Sequence, residues 1–559
     1  MKKFIYIALL ALSFCPCYAL QRVIERVYIS TDRASYVAGE RIWLSLYCFD
    51  LSGNEPRFSG VSSVAYVELR NGASLVSSAK LRIAGGRGSG NIIIPRSLPT
   101  GNYRLIAYTK QMFNEEEPAV FDKVISIYNT LSTERLPEGV LFEGDEKGVQ
   151  GTTEKPNTQQ VEVKLGVTQH TVPLNHSLPL SLQNVSGEDI TLSLSIARID
   201  LPAESNYSLH DFFALNQPDP AKIRFQDHYI PDYEGEVIRG RIINIRSIPF
   251  RDRTVYLSAA GKEVNVYAGP VDTRTGEFTF FTNSLYGDRE IVLEYPALGD
   301  VSFELVDPFI TPPIKPVPPL FLDKKTALPL AERSVEMQVS YRLGMDTLFD
   351  RTTILDDPLI YTDKPVVYLL DNYTRFPTMQ DIMVEFITEL RFRRVSGKPS
   401  LQVFLTDWGW ALTDNPLVVI DGIAIFDHER LLQYDPLQVK SVSIYRNRYR
   451  IGNTTFDGIA KWDTYSGAYP GLTLGKNALI IDYQGVQFPC RFTGGFAASD
   501  DFPDVRTLLY WDPQIDLAQG AHQDINIRTS SMPGKYAIVL EGVTATGAPI
   551  LFRSEFTVE

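Results

Sequence analysis

Thr31-Asp32-Arg33-Ala34-Ser35-Tyr36-Val37-Ala38-Gly39-Glu40-Arg41-Ile42-Trp43-Leu44 leads into Ser45-Leu46-Tyr47, and this run sets the reading of the whole chain. Residues 41–47 alternate with the period of two expected of a half-buried β-strand. Gly39 allows a tight turn just before the strand. Tyr36 and Trp43 offer large surfaces for burial. The same short alternating runs, broken by Gly, Pro, Asn and Ser, continue to about residue 130, as in Asn102-Tyr103-Arg104-Leu105-Ile106-Ala107-Tyr108. An antiparallel sandwich over residues 20–130 is predicted.

Outward from that sandwich the pattern repeats. Residues 131–158 turn polar and acidic, with Glu138, Glu143, Asp145, Glu146 and Glu154, and read as a linker. Strand runs at 161–165, 178–182 and 190–196 predict a second sandwich over 159–222. Runs at 237–242 and 277–280, the latter preceded by an Asp272…Gly276 turn, predict a third over 223–307. Six prolines between Pro308 and Pro319 predict a stiff, extended spacer over 308–322 that marks the main boundary. Helical periodicity is read only beyond it. Leu330, Val335, Val339 and Leu343 share one helical face, as do Met379, Ile382, Met383, Phe386 and Leu390, so 323–470 reads as an α/β module. Residues 471–559 close the chain as a further β-sandwich-like region.

Length and composition bound the function. At 559 residues the chain has room for about three to five domains of roughly 100–200 residues each. Its 22% charged residues, 28 Tyr and 30 Phe suit a globular β-rich protein and exclude disorder as the main state. Lys2 and Lys3, an apolar run from Phe4 to Phe14 and Cys17-Tyr18-Ala19 form a signal-peptide pattern over 1–19. That run is shorter than the ~20 residues needed to span a bilayer, and no later segment reaches that length. A lipid-anchored form would need a small residue before its cysteine, but Cys15 follows Phe14 and Cys17 follows Pro16. Without the leader the formal charge moves from −13 to −15, which with no Lys/Arg run excludes nucleic acid as the natural partner. Cys48 and Cys490 remain, both in apolar strand-like segments, and are read as two buried thiols rather than a disulfide.

The quoted stretch 31–44 resembles the opening of the second macroglobulin domain, MG2, of the alpha-2-macroglobulin superfamily, and residues 98–108 resemble that domain's late strand. Residues 393–467 resemble the plug domain of TonB-dependent outer-membrane receptors. Pro416-Leu417-Val418-Val419-Ile420-Asp421-Gly422-Ile423 matches a plug strand, and 431–445 matches the helix, turn and strand that follow. Asn453-Thr454-Thr455-Phe456-Asp457-Gly458 departs from the usual plug ending, and the 89 residues after Pro470 are too few for a receptor barrel. Together the two resemblances point to exported MG2-plus-plug proteins of Bacteroidota. They imply a mainly β fold, with tandem immunoglobulin-like or macroglobulin-like β-sandwiches followed by a small α/β plug-like domain and a C-terminal β region. By the plug resemblance, Asp421, Gly422, Tyr434, Asp435 and Tyr445 mark an interaction motif toward an outer-membrane barrel complex.

Chemistry was sought and not found in the residues. The macroglobulin thioester needs Gly-Cys-Gly-Glu-Gln, which is absent. His428-Glu429-Arg430-Leu431-Leu432 begins like a zinc helix but ends in Leu432, so two ligands cannot share a face. The other histidines, His170, His176, His210, His228 and His522, are scattered. Gly85-Gly86-Arg87-Gly88-Ser89-Gly90 precedes a strand and not a phosphate-binding helix, and no nucleophile elbow occurs. Asp500, Asp501 and Asp504 lack calcium-loop spacing, and Asp227, Asp232, Glu234 and Glu236 read as surface charge. The expectation is therefore a non-enzymatic exported protein, without metal or cofactor, in the periplasm or at either face of the outer membrane. It would bind another envelope protein; the alternatives are a surface adhesin or glycan-binding protein and, third, a macroglobulin-like protease decoy.

Overall fold

The strand Arg41–Asp50 forms where predicted, between Glu25–Thr31 and Arg87–Ile93, but it is not half-buried: Ile42 to Phe49 are buried without a break, because Trp43, on the face away from the first core, packs against Cys490, Phe492 and Trp511. Gly39, at a φ of 98°, turns the chain into it. The loop before it is clamped by one buried carboxylate: Asp32 accepts the Trp43 N–H at 2.9 Å and the Tyr36 hydroxyl at 2.7 Å. A five-stranded sheet, Ser35–Val37, Phe121–Tyr128, Gly101–Tyr108, Val64–Asn71 and Ser74–Arg82, packs against the first and encloses an aliphatic and tyrosine-rich core. The computed structural model describes residues 22–131, 139–142, 163–167, 170–203, 207–244, 253–283, 285–297, 300–345, 349–351, 364–395, 397–405, 409–412, 415–492 and 502–559. The leader, most of the acidic 131–158 stretch, Asp500 and Asp501 lie outside them.

The molecule is mainly β, a series of sandwiches with one α/β module. Its sheets, however, join segments far apart in sequence. Ile190–Arg198 lies between Leu508–Leu517 and Gly534–Thr544, while Ser177–Asn184 pairs with His522–Arg528. The strand runs of 159–222 and those near the C-terminus thus build one sandwich with one core, instead of two regions in succession. Ala478–Gln484 adds a fourth strand to the sheet of Asn265–Pro270, Thr254–Ala259 and Asp288–Glu294. Alternation tells which face of a strand is buried; it carries no record of the strand's partner.

The proline-rich stretch is also not a free spacer. It lies along the first sandwich, where Asn102 Nδ2 donates to the carbonyls of Pro318 at 3.2 Å and Pro319 at 3.1 Å, and the Tyr108 hydroxyl accepts the Ile310 N–H at 2.9 Å. Missing N–H groups leave proline carbonyls as acceptors, and the strand Gly101–Tyr108 supplies side-chain donors to them. Leu320–Leu322 then pairs in parallel with Val140–Phe142, from the stretch read as acidic linker.

Helix Ala327–Arg342 occurs where predicted, but a different face is buried. Arg333, Ser334, Glu336 and Met337 point inward, whereas Val335 is 61% exposed. The apolar positions misled because the buried charges are paired, as described below. Helix Met379–Glu385 buries the predicted Met379, Ile382 and Met383. Helix Leu209–Leu215 corrects the expectation that helices occur only beyond the prolines: seven residues are too few to show a period, although Ser208 and Asp211 form a capping box. No helix among the described residues is long and apolar enough to cross a membrane.

The α/β module has a mixed sheet in the order Val366–Leu369, Val439–Ile451, Thr454–Thr464, Leu417–Ile420, Ile423–Ile425. Met379–Glu385, His428–Gln433 and the hairpin Leu390–Val395/Lys398–Leu405 cover one face. Tyr256, Val264 and Val266 of the third sandwich pack on the other, against Leu417, Val419 and Ala424 and against Tyr445, Tyr449, Ile451, Phe456 and Ile459 of the two central strands.

Candidate functional site

The motif residues singled out by resemblance fall mostly inside the protein. Asp421 and Gly422 are the two-residue turn between Leu417–Ile420 and Ile423–Ile425, with φ of 44° and 86°, as a type I′ hairpin requires. A Cβ on Gly422 would stand 2.3 Å from the Ala259 carbonyl oxygen, so the turn is seated against the third sandwich. The Asp421 carbonyl accepts the Gly261 N–H at 2.9 Å. Its buried carboxylate accepts the N–H groups of Thr464 at 2.8 Å and Tyr469 at 2.7 Å and the Thr464 hydroxyl. Tyr434 is buried and donates to the Pro470 carbonyl at 2.8 Å; burial, with Asp421 and Asp435 nearby, pushes its hydroxyl up to about 12. Tyr445 is buried among Tyr449, Phe456 and Val264. Asp435 alone is exposed, and its side chain accepts the Leu437 N–H at 2.9 Å as an N-cap. Four of the five residues hold the module together and one caps a turn.

The surface available to a partner lies at the opposite end of the same sheet. Among the described residues Val366–Leu369 is an edge strand, paired with Val439–Ile451 on one side only. Val366 and Tyr368 face the module's core, while Val367 and Leu369 face out, 52% and 49% exposed, because the third sandwich, which reaches Tyr445, Tyr449 and Ile451 on the neighbouring strand, does not extend over them. Exposed Leu437, Tyr373 and Tyr465 lie at the end of this edge: Tyr465 donates to Asp371, and Arg375 Nη2 donates to the Pro436 carbonyl at 3.1 Å. An open edge presents unpaired backbone N–H and C=O groups beside apolar side chains, which suits strand addition. The sequence signal was there, four apolar residues after Pro365, but nothing in it tells an edge from a central strand.

The residues weighed for catalysis have other partners. Asp232 and Glu236 are buried ion-pair partners of Lys110 (3.0 Å) and Lys80 (2.7 Å), bonds that hold the third sandwich to the first. Asp504 pairs with Arg506 at 2.7 Å. His428 Nδ1 accepts the Leu401 N–H at 2.9 Å, and burial lowers the ring to about 4, so it is a neutral structural histidine. Cys48 and Cys490 are buried and unlinked. Among the described residues no group of three or more His, Cys, Asp or Glu is placed to hold a metal ion.

No family model matches this chain, and no curated protein matches it. Among solved structures it is similar to Salmonella alpha-2-macroglobulin reacted with methylamine, at 9% identity and a TM-score of 0.24, over 96% of this chain and 39% of that one. Escherichia coli alpha-2-macroglobulin activated by porcine elastase gives 9% identity and 0.24, over 96% and 44%. The Escherichia coli adhesin FdeC gives 12% identity and 0.15, over 49% and 60%. The chain spans about two fifths of the length of these macroglobulins, and similarity at such scores says nothing of activity.

Proposed function

We propose that this chain is an exported, non-enzymatic scaffold or accessory protein that binds another envelope protein, an outer-membrane barrel complex, through the open edge Val366–Leu369. The observation that carries the reading is the edge strand, paired on one side only among the described residues, with Val367 and Leu369 directed to solvent. Proteins ordinarily blunt such edges with charge, proline or a covering loop, and an edge left apolar is suited to an incoming strand. The leader-like residues 1–19 support an exported address, and the plug resemblance of 393–467 supports a barrel as partner.

The test is mild-detergent extraction of the native envelope with the chain affinity-tagged, in wild-type form and as Val367→Asp with Leu369→Asp. Stoichiometric recovery of an outer-membrane barrel with the wild type, lost in the double variant, is the expected result. Recovery of the chain alone, or a barrel retained equally by the variant, overturns the docking edge.

A further inference from the structure

A cavity of about 350 Å3 opens between the third sandwich and the α/β module, within the ~300–1,000 Å3 range of small-molecule sites. Glu294, Tyr295, Lys398, Asp427, His428, Arg430 and Lys476 supply its charged and titratable lining, from four separate segments. Glu294 is 8% exposed, and no described residue gives it a hydrogen bond or an ion pair within reach. Arg430 is held from elsewhere: its Nη1 donates to the Thr473 carbonyl at 3.2 Å, and its Nε is 3.8 Å from Asp427. The two groups nevertheless converge on one spot. A Cβ placed on Gly475 would lie 3.1 Å from Glu294 Oε1 and 3.2 Å from Arg430 Nη2.

A buried carboxyl without a donor is unfavourable unless water or a ligand satisfies it, and here it faces a space large enough for a ligand. Burial pushes the Glu294 carboxyl up to about 7, against the pull of Arg430 and with the push of Asp427. Around Glu294 stand three cations of the lining, Lys398, Arg430 and Lys476, but Lys476 is paired with Asp300 at 2.6 Å and Arg430 lies beside Asp427, so Lys398 is the one cation of the lining without an acidic partner among the described residues; His428 is neutral. That unmatched charge favours a carboxylate over ammonium groups and metal cations, while Glu294 calls for a hydroxyl donor.

We propose that this cavity binds an acidic monosaccharide unit, a hexuronate, with its carboxylate toward Lys398 and Arg430 and its ring hydroxyls toward Glu294. The site is separate from the docking edge and does not depend on it.

Isothermal titration calorimetry of the mature chain with sodium glucuronate, glucose and sodium acetate tests the assignment. Glucuronate should bind at least tenfold more tightly than glucose, which lacks the charge, or acetate, which lacks the hydroxyls. Its affinity should fall about tenfold from pH 6 to pH 8, because ionised Glu294 repels the bound anion, and Glu294→Gln should abolish that dependence. Gly475→Ala, which leaves every charge in place, should weaken binding at least tenfold with unchanged circular dichroism and melting. Absence of binding, equal affinity for glucose or acetate, or a pH profile that persists in Glu294→Gln overturns the proposal.

Discussion

Arg333 and Arg430 both sit on helices at junctions between distant segments, yet their surroundings are opposite. Arg333 is 1% exposed; its Nε donates to Glu40 at 2.9 Å and its Nη1 to both oxygens of Asp200 at 2.7 Å. Arg198 also holds Asp200 and grips Glu336 with two bonds of 2.9 and 2.5 Å. Burial pushes the carboxyls of Glu40 and Asp200 up, but the arginines outweigh it and hold both below their ordinary values. At Arg430 burial wins, and Glu294 stays near neutrality. What separates the lowered carboxyls from the raised ones is the number of guanidinium groups in reach: Glu40 has Arg333 and Arg33 and Asp200 has Arg333 and Arg198, whereas burial still raises Glu336, which Arg198 grips alone, and Glu294, whose Arg430 stands beyond bonding distance. The closed seam ties the first sandwich to the helix Ala327–Arg342; the open cavity leaves its carboxyl available.

The largest effect should come from opening the closed side. Arg333→Ala leaves Glu40 and part of the Asp200 charge buried without their guanidinium, and should cost about 3–5 kcal/mol in a denaturant titration. A loss below about 1 kcal/mol would show that the seam is not the clamp described here. Because Glu40 and Asp200 are depressed in the folded state, their contribution is present above the ordinary carboxylate range. It disappears as pH falls below that range, so the difference between wild type and variant should shrink in acid.

Next in size is the junction at Asp421-Gly422. Gly422→Ala forces a side chain into a φ of 86° and a Cβ to 2.3 Å from the Ala259 carbonyl, and should destabilise by roughly 3 kcal/mol or more by thermal melting. Asp421 shows what was and was not readable. Residues 416–423 were legible as an apolar strand run, but not as a hairpin turning at Asp421-Gly422; that the hairpin is seated on Ala259–Gly261 depends on a contact more than 150 positions away. The same limit explains the rest. Strands such as Ser177–Asn184 were legible because burial imprints alternation on them. Arg333 and Glu336 were not legible as buried, since polar residues read as outward until their partners, Asp200 and Arg198, are placed beside them. The cavity escaped for the same reason, with Glu294, Lys398, Arg430 and Gly475 scattered along the chain.

The open side should show a pH-dependent and smaller effect. Glu294 has a folded value of about 7 against 4.5 ordinarily, so the unfolded chain ionises first as pH rises. The wild type therefore loses stability between about pH 4.5 and 7, by at most about 3 kcal/mol, and the loss is complete above that window. Glu294→Gln should track the wild type at pH 4.5 and exceed it increasingly up to pH 7.5. His428 works in the other direction: with its ring lowered to about 4, its contribution is present above pH 6.5 and is lost as pH falls toward 4. Both proteins carry that term, so the difference between them isolates Glu294. A constant difference across pH would mean that Glu294 has its donor in solution and that the cavity is closed.

The smallest stability effect belongs to the edge Val366–Leu369, where it serves as the sharpest contrast with the seam. Val367 and Leu369 are about half exposed, so their replacement by Asp removes little buried apolar area and leaves the backbone ladder to Val439–Ile451 intact. Stability in denaturant should change by no more than about 0.5 kcal/mol, while the charges block an incoming strand by repulsion and by the desolvation they demand. A variant that melts like the wild type yet loses its barrel partner separates a surface kept for binding from one kept for folding. If instead the double substitution costs several kcal/mol, the two side chains are already covered in the free protein, and the edge is a closed junction of the same kind as the one around Arg333.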